Sequence, residues 1–335
     1  MWLILAILGP IMGGFTAILW KGSSEIISPT RMPLSKHQKE ALSEPSLHIQ
    51  NAIALDGKVP YLIISPVQNA EPSERGRKIR NDLTHEGLQL RPYGETQGLL
   101  VLLHGRRGRK EGMIRVAERF AAAGFRCLVP DLPAHGESPL QTVAYGSSPF
   151  EKSLPLSLVK EAQQTFDWPL DEPLGLWGMS MGGAFATAAL ANATDWNAAI
   201  IVSSFDNLDG VISHKLRRLA GPMTKTMNGV VKAIVLRRSG LVIDQVDSTL
   251  FANQSTTPVF CLHGDRDPFI ESSRGKNLFN HFSIDDKQWL DVKDGDHNNV
   301  LITAQPVYAP MCSWFLPWLQ SDTRKTKHRL PKTTN

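Results

Sequence analysis

A glycine–serine pattern in the middle of the chain could supply a nucleophile. Residues 178–182, Gly-Met-Ser-Met-Gly, match G-x-S-x-G directly after an apolar run and directly before an alanine-rich segment with helical character. A sharp strand-to-helix turn holds such a serine in a strained backbone conformation and needs small flanking residues. Amide groups at the start of the helix then face any negative charge formed there. The pattern therefore predicts Ser180 as a nucleophile rather than an idle serine in a tight glycine turn.

A serine hydroxyl needs a base within hydrogen-bond reach, and the base needs an orienting partner. His297, in Asp-Gly-Asp-His at 294–297, is the best candidate for the base. Asp267, which follows the apolar run 258–262, is the best orienting acid, and the chain order Ser, Asp, His is the one expected for a nucleophile elbow. Asp265 and Asp296 remain alternative acids. Asp265 stands closer to the strand, and Asp296 is adjacent to His297, where neighbouring side chains rarely point the same way.

Short apolar runs alternate with helical segments through most of the chain. The predicted strands are 99–103, 125–129, 174–177, 198–202, 258–262 and 288–292, and the predicted helices are 109–123, 154–168, 181–193 and 299–319. This alternation is typical of a parallel sheet covered on both faces, in which ligands bind beyond the carboxyl ends of the strands. Five reactive residues follow predicted strands and should gather at that edge: His104, Asp131, Ser180, Asp267 and His297.

Three segments flank or interrupt the alternation. Residues 47–55 and 59–64, joined at Asp56-Gly57, predict a hairpin, and the polar residues 66–97 predict a surface insertion. Residues 205–255 carry leucine and methionine among basic residues and predict a small helical cap over the reactive edge. The alternative is a peripheral helical insertion without substrate contact.

Five motifs occur in an order that resembles a known family. They are His-Gly-Arg-Arg-Gly at 104–108, Asp-Leu-Pro-Ala-His-Gly-Glu-Ser at 131–138, the serine motif, Gly-Asp-Arg-Asp at 264–267 and Gly-Asp-His at 295–297. Together they resemble the α/β-hydrolase family, in particular its serine-aminopeptidase and monoacylglycerol-lipase-like members, over about residues 47–319. One position departs from the pattern, since Ala134 stands where glycine is usual.

The resemblance implies a fold and a set of roles. The fold is the α/β-hydrolase fold: a mostly parallel central sheet with helices on both faces and a small helical cap. Ser180 attacks a carbonyl, His297 takes and returns the proton, and Asp267 orients His297. The backbone amides of Met181 and Arg106 form the oxyanion hole. The triad implies no cofactor. His104 is an alternative base, but the resemblance implies a structural role for it, as for His135 and His263.

Net charge and residue spacing argue against nucleic-acid binding, a metal site and a disulfide framework. The net charge of +4 does not suggest a nucleic-acid binder. The histidines and acids lack a metal-ligand spacing such as H-E-x-x-H. The three cysteines, Cys127, Cys261 and Cys312, form neither a disulfide framework nor a CxxC pattern, and the first two lie in predicted strands as small apolar residues.

The two ends of the chain differ from its middle. Residues 2–20 carry no charge and have tryptophan at both ends, which favours a membrane anchor within 1–21, with a cleaved signal segment or a buried core helix as the alternatives. Residues 22–46 predict a linker, the hydrolase domain is expected over 47–320, and the basic residues 321–335 predict a disordered tail. We therefore expect a membrane-associated protein, or a secreted or periplasmic one after cleavage.

These features predict a serine hydrolase that cleaves an ester, thioester or amide of a small-molecule acyl substrate, and the apolar run and the cap would suit a lipid-like acyl group. The alternatives are a lyase or perhydrolase on the same scaffold, or a catalytically inactive binding protein. The sequence carries no indication of the oligomeric state.

Overall fold

The computed structural model describes residues 19–68 and 71–319. Eight strands form one sheet in the order β1-β2-β4-β3-β5-β6-β7-β8. The strands are β1 Leu47–Ala54, β2 Val59–Pro66, β3 Leu99–Leu103, β4 Arg126–Pro130, β5 Leu174–Met179, β6 Ala198–Val202, β7 Val259–Gly264 and β8 Lys287–Val292. Strands β3 to β8 are mutually parallel, whereas β1 and β2 form an antiparallel hairpin that joins the sheet through β4. The mostly parallel sheet predicted from the sequence is confirmed.

Helices cover both faces of this sheet. They are α1 at residues 19–27, α2 Lys36–Ala41, α3 Glu74–His85, α4 Ile114–Ala122, α5 Pro149–Thr165, α6 Met181–Asn192, α7 Leu208–Ala220, α8 Thr224–Ser239, α9 Ser248–Gln254, α10 Ser272–Asn280 and α11 Tyr308–Trp318. The first, third and fifth residues of β3 pack into one apolar cluster with α5 and α6, and its second and fourth residues pack into the other with α4 and α11. Burial on both faces explains why inner strands such as β3 and β6 are continuous apolar runs rather than alternating ones.

Two helices differ from the sequence analysis, one in its existence and the other in where it begins. Helix α3 lies within the polar stretch 66–97 and buries only a narrow face, at Gly76, Ile79 and Leu83. In the last part of the chain the helix begins at Tyr308 rather than near residue 299. Pro306 disfavours the helical conformation in the residue before it, which accounts for the later start.

The segment predicted as a linker, 22–46, contains helical residues at 22–27 and 36–41. Its first residues continue α1, and Ser35 caps α2 through a reciprocal capping box with Gln38. Leu19, Ser23 and Ile27 are buried, so α1 packs against the domain. The anchor prediction concerns residues 2–20, of which 2–18 lie outside the described residues, as does the predicted tail at 321–335. Among the helices of residues 19–68 and 71–319, none has the length and apolarity needed to cross a bilayer.

Helices α7, α8 and α9 occupy the segment predicted as a cap. Ile212, Met227 and Val235 pack into the same apolar cluster as α5 and α6. The Arg218 guanidinium of α7 donates to the Pro268 carbonyl (3.2 Å), immediately beyond Asp267. The cap therefore contacts the loop that follows β7, at the carboxyl edge of the sheet.

Candidate active site

Ser180 lies in a strained turn between β5 and α6. Its φ of 55° and ψ of −119° are unusual for a residue with a side chain, and it is the N-cap residue of α6. Its backbone N–H donates to the Val202 carbonyl (2.8 Å), and its own carbonyl accepts from the Ser204 hydroxyl (2.9 Å). A Cβ at Gly182 would collide with the Leu103 carbonyl oxygen. The start of α6 approaches the end of β3 so closely that position 182 requires glycine. The hydrogen bonds to its backbone keep Ser180 in its strained conformation.

His297 joins Ser180 to Asp267. Its Nε2 lies 3.0 Å from Ser180 Oγ, and its Nδ1 lies 2.6 Å from Asp267 Oδ2. A carboxylate accepts, so Nδ1 carries the proton and Nε2 is free to accept the serine proton. The edge of the Phe269 ring packs against the imidazole, with the ring centroids 5.7 Å apart. The chain of three groups is the arrangement that activates a serine hydroxyl.

Asp267 is fixed by contacts on both carboxylate oxygens. Oδ1 accepts from the backbone N–H groups of Phe269 and Ile270, each at 2.9 Å, and its side chain is fully buried. Burial raises the pKa of Asp267, but hydrogen bonds from His263 and His297 outweigh burial and hold that pKa well below its usual range. The carboxylate therefore stays ionised and can stabilise a positive charge on His297.

The two alternative acids are not placed to orient His297. Asp265 is exposed, and its backbone N–H donates to the Val292 carbonyl (3.1 Å). Asp296 Oδ1 accepts from the backbone N–H groups of Asn298 (2.7 Å) and Asn299 (2.9 Å), which stabilises its own turn. The structure therefore favours Asp267 as the partner of His297.

His104 and Asp131, also expected at this edge, hold loops rather than the serine. His104 donates from Nδ1 to the Gly105 carbonyl (2.9 Å) and accepts at Nε2 from the Leu132 N–H (3.1 Å). Burial lowers the pKa of His104 to about 4, so the ring is neutral and ties the loop after β3 to the loop after β4. Asp131 accepts from the backbone N–H groups of Lys110 and Glu137, each at 2.8 Å.

Two other histidines, His135 and His263, and Ala134 also lie in or beside the loops that surround the site. His135 lies 5.2 Å from His104 between ring centroids, and burial lowers its pKa to about 3. His263 Nε2 donates to the Ile270 carbonyl (2.9 Å), which supports the turn that carries Asp267. Ala134 has a φ of 64°, in the left-handed region that favours glycine. That conformation explains why glycine is usual at this position in the motif.

The loop predicted to carry one half of the oxyanion hole lies beside the serine. A Cβ on Gly105 would lie 3.4 Å from Ser180 Cβ and 3.9 Å from Ser180 Oγ. Arg106 follows directly, and Met181 is the first residue of α6. Arg106 therefore follows Gly105, which lies against Ser180, and Met181 follows Ser180 itself. No group of three His, Cys, Asp or Glu side chains in the described part of the chain has the geometry of a metal site.

The comparisons with known proteins agree with this architecture. Residues 94–247, from the segment before β3 into the predicted cap, match the family described as serine aminopeptidase, S33. The chain has the α/β-hydrolase fold. The resemblance drawn from the five motifs is thereby confirmed, and the coarse assignment as a hydrolase is supported. None of the curated proteins matches the chain.

Solved structures with this fold include hydrolases of several kinds. The Pyrococcus furiosus esterase Pf2001 is 15% identical, with a TM-score of 0.60, over 87% of this chain and 99% of the esterase. The Pyrococcus horikoshii acylaminoacyl peptidase is 14% identical, with a TM-score of 0.55, over 87% of this chain and 43% of the peptidase. A 2,6-dihydroxy-pseudo-oxynicotine hydrolase is 19% identical, with a TM-score of 0.56, over 84% of this chain and 71% of that one. At these identities the likeness concerns the fold alone.

Sequence reasoning missed the residues that surround the site from the N-terminal side. The Glu25 carboxylate contacts the guanidinium groups of Arg106 and Arg107, and Arg31 donates to carbonyls in the loop after β4. These partners are separated in sequence by 81 residues or more. Local sequence patterns carry no signal for pairs so far apart. Within residues 22–46, the capping box at Ser35 is a local sign of a helix.

Proposed function

We propose that this protein is a serine hydrolase that cleaves an ester, thioester or amide through an acyl-enzyme formed on Ser180. The observation that carries the proposal is the position of His297, with one ring nitrogen 3.0 Å from Ser180 Oγ and the other 2.6 Å from Asp267 Oδ2. Each of the three side chains, taken alone, could have a purely structural role. Their convergence from three separate loops at one sheet edge supports a shared chemical role.

The reaction follows from the direction of each hydrogen bond. Ser180 Oγ attacks the carbonyl carbon of the substrate while its proton passes to His297 Nε2. The resulting imidazolium is stabilised by the ionised Asp267. Backbone amides of Met181 and Arg106 donate to the negative oxygen of the tetrahedral intermediate, and loss of one such donor typically costs roughly a hundred- to a thousand-fold in rate.

The second half of the reaction uses the same groups. His297 Nε2 returns the proton to the departing alcohol, thiol or amine, which leaves an acyl group on Ser180. A water molecule then gives its proton to Nε2 and attacks the acyl carbon, and Ser180 Oγ leaves with that proton. The triad needs no cofactor for these steps.

The nature of the acyl group is a finer proposal. An apolar N-terminal run and a cap that contains leucine and methionine suit a lipid-like acyl chain. Fold and triad do not determine the substrate. Rates with p-nitrophenyl esters of increasing chain length test this part, since a lipid-like preference requires kcat/KM to rise from acetate toward decanoate.

The experiment for the reaction class is ester hydrolysis under pre-steady-state conditions. We expect the wild-type chain to release a burst of p-nitrophenol of about one equivalent wherever deacylation is the slower step. Ser180→Ala should remove both the burst and the turnover, while Ser153→Ala on α5, whose hydroxyl bonds to the Phe150 carbonyl, should retain them. Turnover that persists in Ser180→Ala places the reaction elsewhere and overturns the proposal.

A further inference from the structure

Helix α1 brings a carboxylate to the loop beside the nucleophile. Glu25 Oε2 lies 2.6 Å from Arg107 Nη2 and 3.0 Å from Arg107 Nε, and it lies 3.5 Å from Arg106 Nη1. Arg106 also donates to the backbone carbonyl of Glu25 (3.4 Å). One carboxylate on α1 thus engages two consecutive side chains of the segment 104–108, which we call the oxyanion loop.

The Glu25 carboxylate is itself well placed to hold this loop. The side chain is 20% exposed, and its Oε1 accepts from both the hydroxyl and the backbone N–H of Thr30. Burial raises the pKa of Glu25, but the hydrogen bonds from Thr30 and Arg107 outweigh it and lower the pKa overall. Glu25 is therefore ionised at neutral pH, and it offsets the repulsion between two adjacent arginines.

The segment that carries Glu25 is rigidly attached to the domain. The Ile26 carbonyl accepts from the Tyr145 hydroxyl (2.7 Å), and the Ile27 carbonyl accepts from the Val143 N–H (2.8 Å). The Arg31 guanidinium donates to three carbonyls of the loop after β4, at 2.7 to 3.0 Å. These bonds, with the buried face of α1, give the carboxylate a fixed position.

The oxyanion loop has a conformation that benefits from such support. Arg107 has a φ of 63°, which is unfavourable for a residue with a side chain. On the inner side the loop is held by His104, and its Gly105 lies against Ser180. On the outer side its arginines are held by Glu25. The backbone amide of Arg106 lies between these two attachments.

We propose that Glu25 is a positioning residue that holds the oxyanion loop, so that the Arg106 backbone N–H points at the oxygen of the tetrahedral intermediate. This inference rests on the proposed serine hydrolase function. Glu25 does not touch the reacting atoms; it acts through the arginine side chains on the backbone to which they belong. The segment that precedes the hydrolase domain would thus support the active site from outside.

The test compares Glu25→Gln with Glu40→Gln in the full chain. Glu40, on α2, has a side chain that is 54% exposed and forms ion pairs with Lys36 and His37 of its own helix. We expect Glu25→Gln to lower kcat for a p-nitrophenyl ester about tenfold with KM changed less than about twofold, because the oxyanion contact forms in the transition state. Glu40→Gln should leave both unchanged. A kcat for Glu25→Gln within twofold of wild type overturns the proposal.

Two further measurements separate positioning from general stability. In a double-mutant cycle, Glu25→Gln combined with Arg107→Gln should be no slower than the slower single variant, because both remove one interaction. Fully additive losses contradict the proposal. The rate penalty for a thionoester relative to its ester should also be smaller in Glu25→Gln, since a loosened hole discriminates less against the larger sulfur; an unchanged penalty contradicts it.

Fluorophosphonate labelling distinguishes the two possible failures. Wild-type chain that labels at Ser180, together with an unchanged Glu25→Gln variant, rejects the positioning role and leaves the hydrolase proposal standing. Wild-type chain that neither labels nor hydrolyses esters rejects the hydrolase proposal, and the positioning role falls with it.

Discussion

In the proposed reaction, His297 can act as a base only while its proton stays on the nitrogen that faces Asp267. The Asp267 carboxylate enforces that tautomer because it accepts at 2.6 Å and cannot donate. Its other oxygen is held by two backbone N–H groups, so the carboxylate does not rotate away from the imidazole. The proposed proton transfer from Ser180 to His297 therefore depends on the fixed position of one hydrogen-bond acceptor, the Asp267 carboxylate.

Asp267→Asn tests this dependence. The amide oxygen can still accept from the N–H groups of Phe269 and Ile270, so we expect the protein to fold. Its NH2 group would face His297 Nδ1 as a donor and favour the tautomer with the proton on Nε2, which then cannot accept from Ser180. We expect kcat to fall roughly 10³- to 10⁴-fold. The measurement is steady-state ester hydrolysis, with circular dichroism to establish folding.

The matched control is the neighbouring acid. Asp265→Asn changes an exposed carboxylate two residues away and should keep activity within about twofold. A large loss in Asp265→Asn, with little loss in Asp267→Asn, would exchange the roles of the two acids.

The strand-to-helix turn is the element on which the serine depends. Helix α6 starts at Met181, directly after a serine with positive φ, and its second residue lies against the end of β3. The close approach sets the position of the nucleophile relative to the oxyanion loop, which follows β3. Packing between these elements, rather than the serine itself, creates the geometry.

Gly182→Ala tests the packing of this turn. The added methyl group would overlap the Leu103 carbonyl oxygen, so we expect a loss of at least about 2 kcal/mol in the free energy of unfolding, together with reduced activity. Gly229→Ala, on α8, is the control: the new Cβ meets nothing within 4 Å, and helix propensity predicts a gain of roughly 0.5–1 kcal/mol. Chemical denaturation measures both. Equal stabilities for the two variants would refute the argument.

A strand or helix could be predicted from the sequence where its buried faces produce a recognisable pattern of apolar residues. The inner strands β3, β6 and β7 were found because both of their faces are buried and their runs are largely apolar. Helix α3 was missed because most of its residues are polar and only one narrow face is covered. The helix expected near residue 299 starts later because Pro306 disfavours the helical conformation in the residue before it.

At the scale of the whole molecule, the sheet brings distant residues together. Ser180 and His297 are 117 residues apart and Asp267 and His297 are 30 apart, yet all three follow the carboxyl ends of parallel strands of one sheet, β5, β7 and β8. That regularity made the three residues predictable without coordinates. Glu25 follows no strand, and its contacts depend on how α1 packs, so no rule of sheet topology predicts it.

The N-terminal apolar run also belongs to this scale. We expect the full chain to fractionate with membranes, and a variant lacking residues 2–18 to move to the soluble fraction, because the uncharged run would supply the affinity for the bilayer. The variant keeps Glu25 and the rest of α1 from residue 19, so its ester hydrolysis should remain. Sedimentation after a high-salt wash measures the partition; a truncated chain that stays in the pellet would contradict the anchor.

The central claim is that Ser180 is the nucleophile because the fold delivers it to His297 and Asp267. The most direct measurement is covalent labelling with a fluorophosphonate, followed by mass spectrometry of the intact chain and of its peptides. We predict one adduct per chain, on the peptide that contains Ser180, and no adduct in Ser180→Ala. An adduct on a different residue, or none on the correctly folded wild-type chain, would contradict the account.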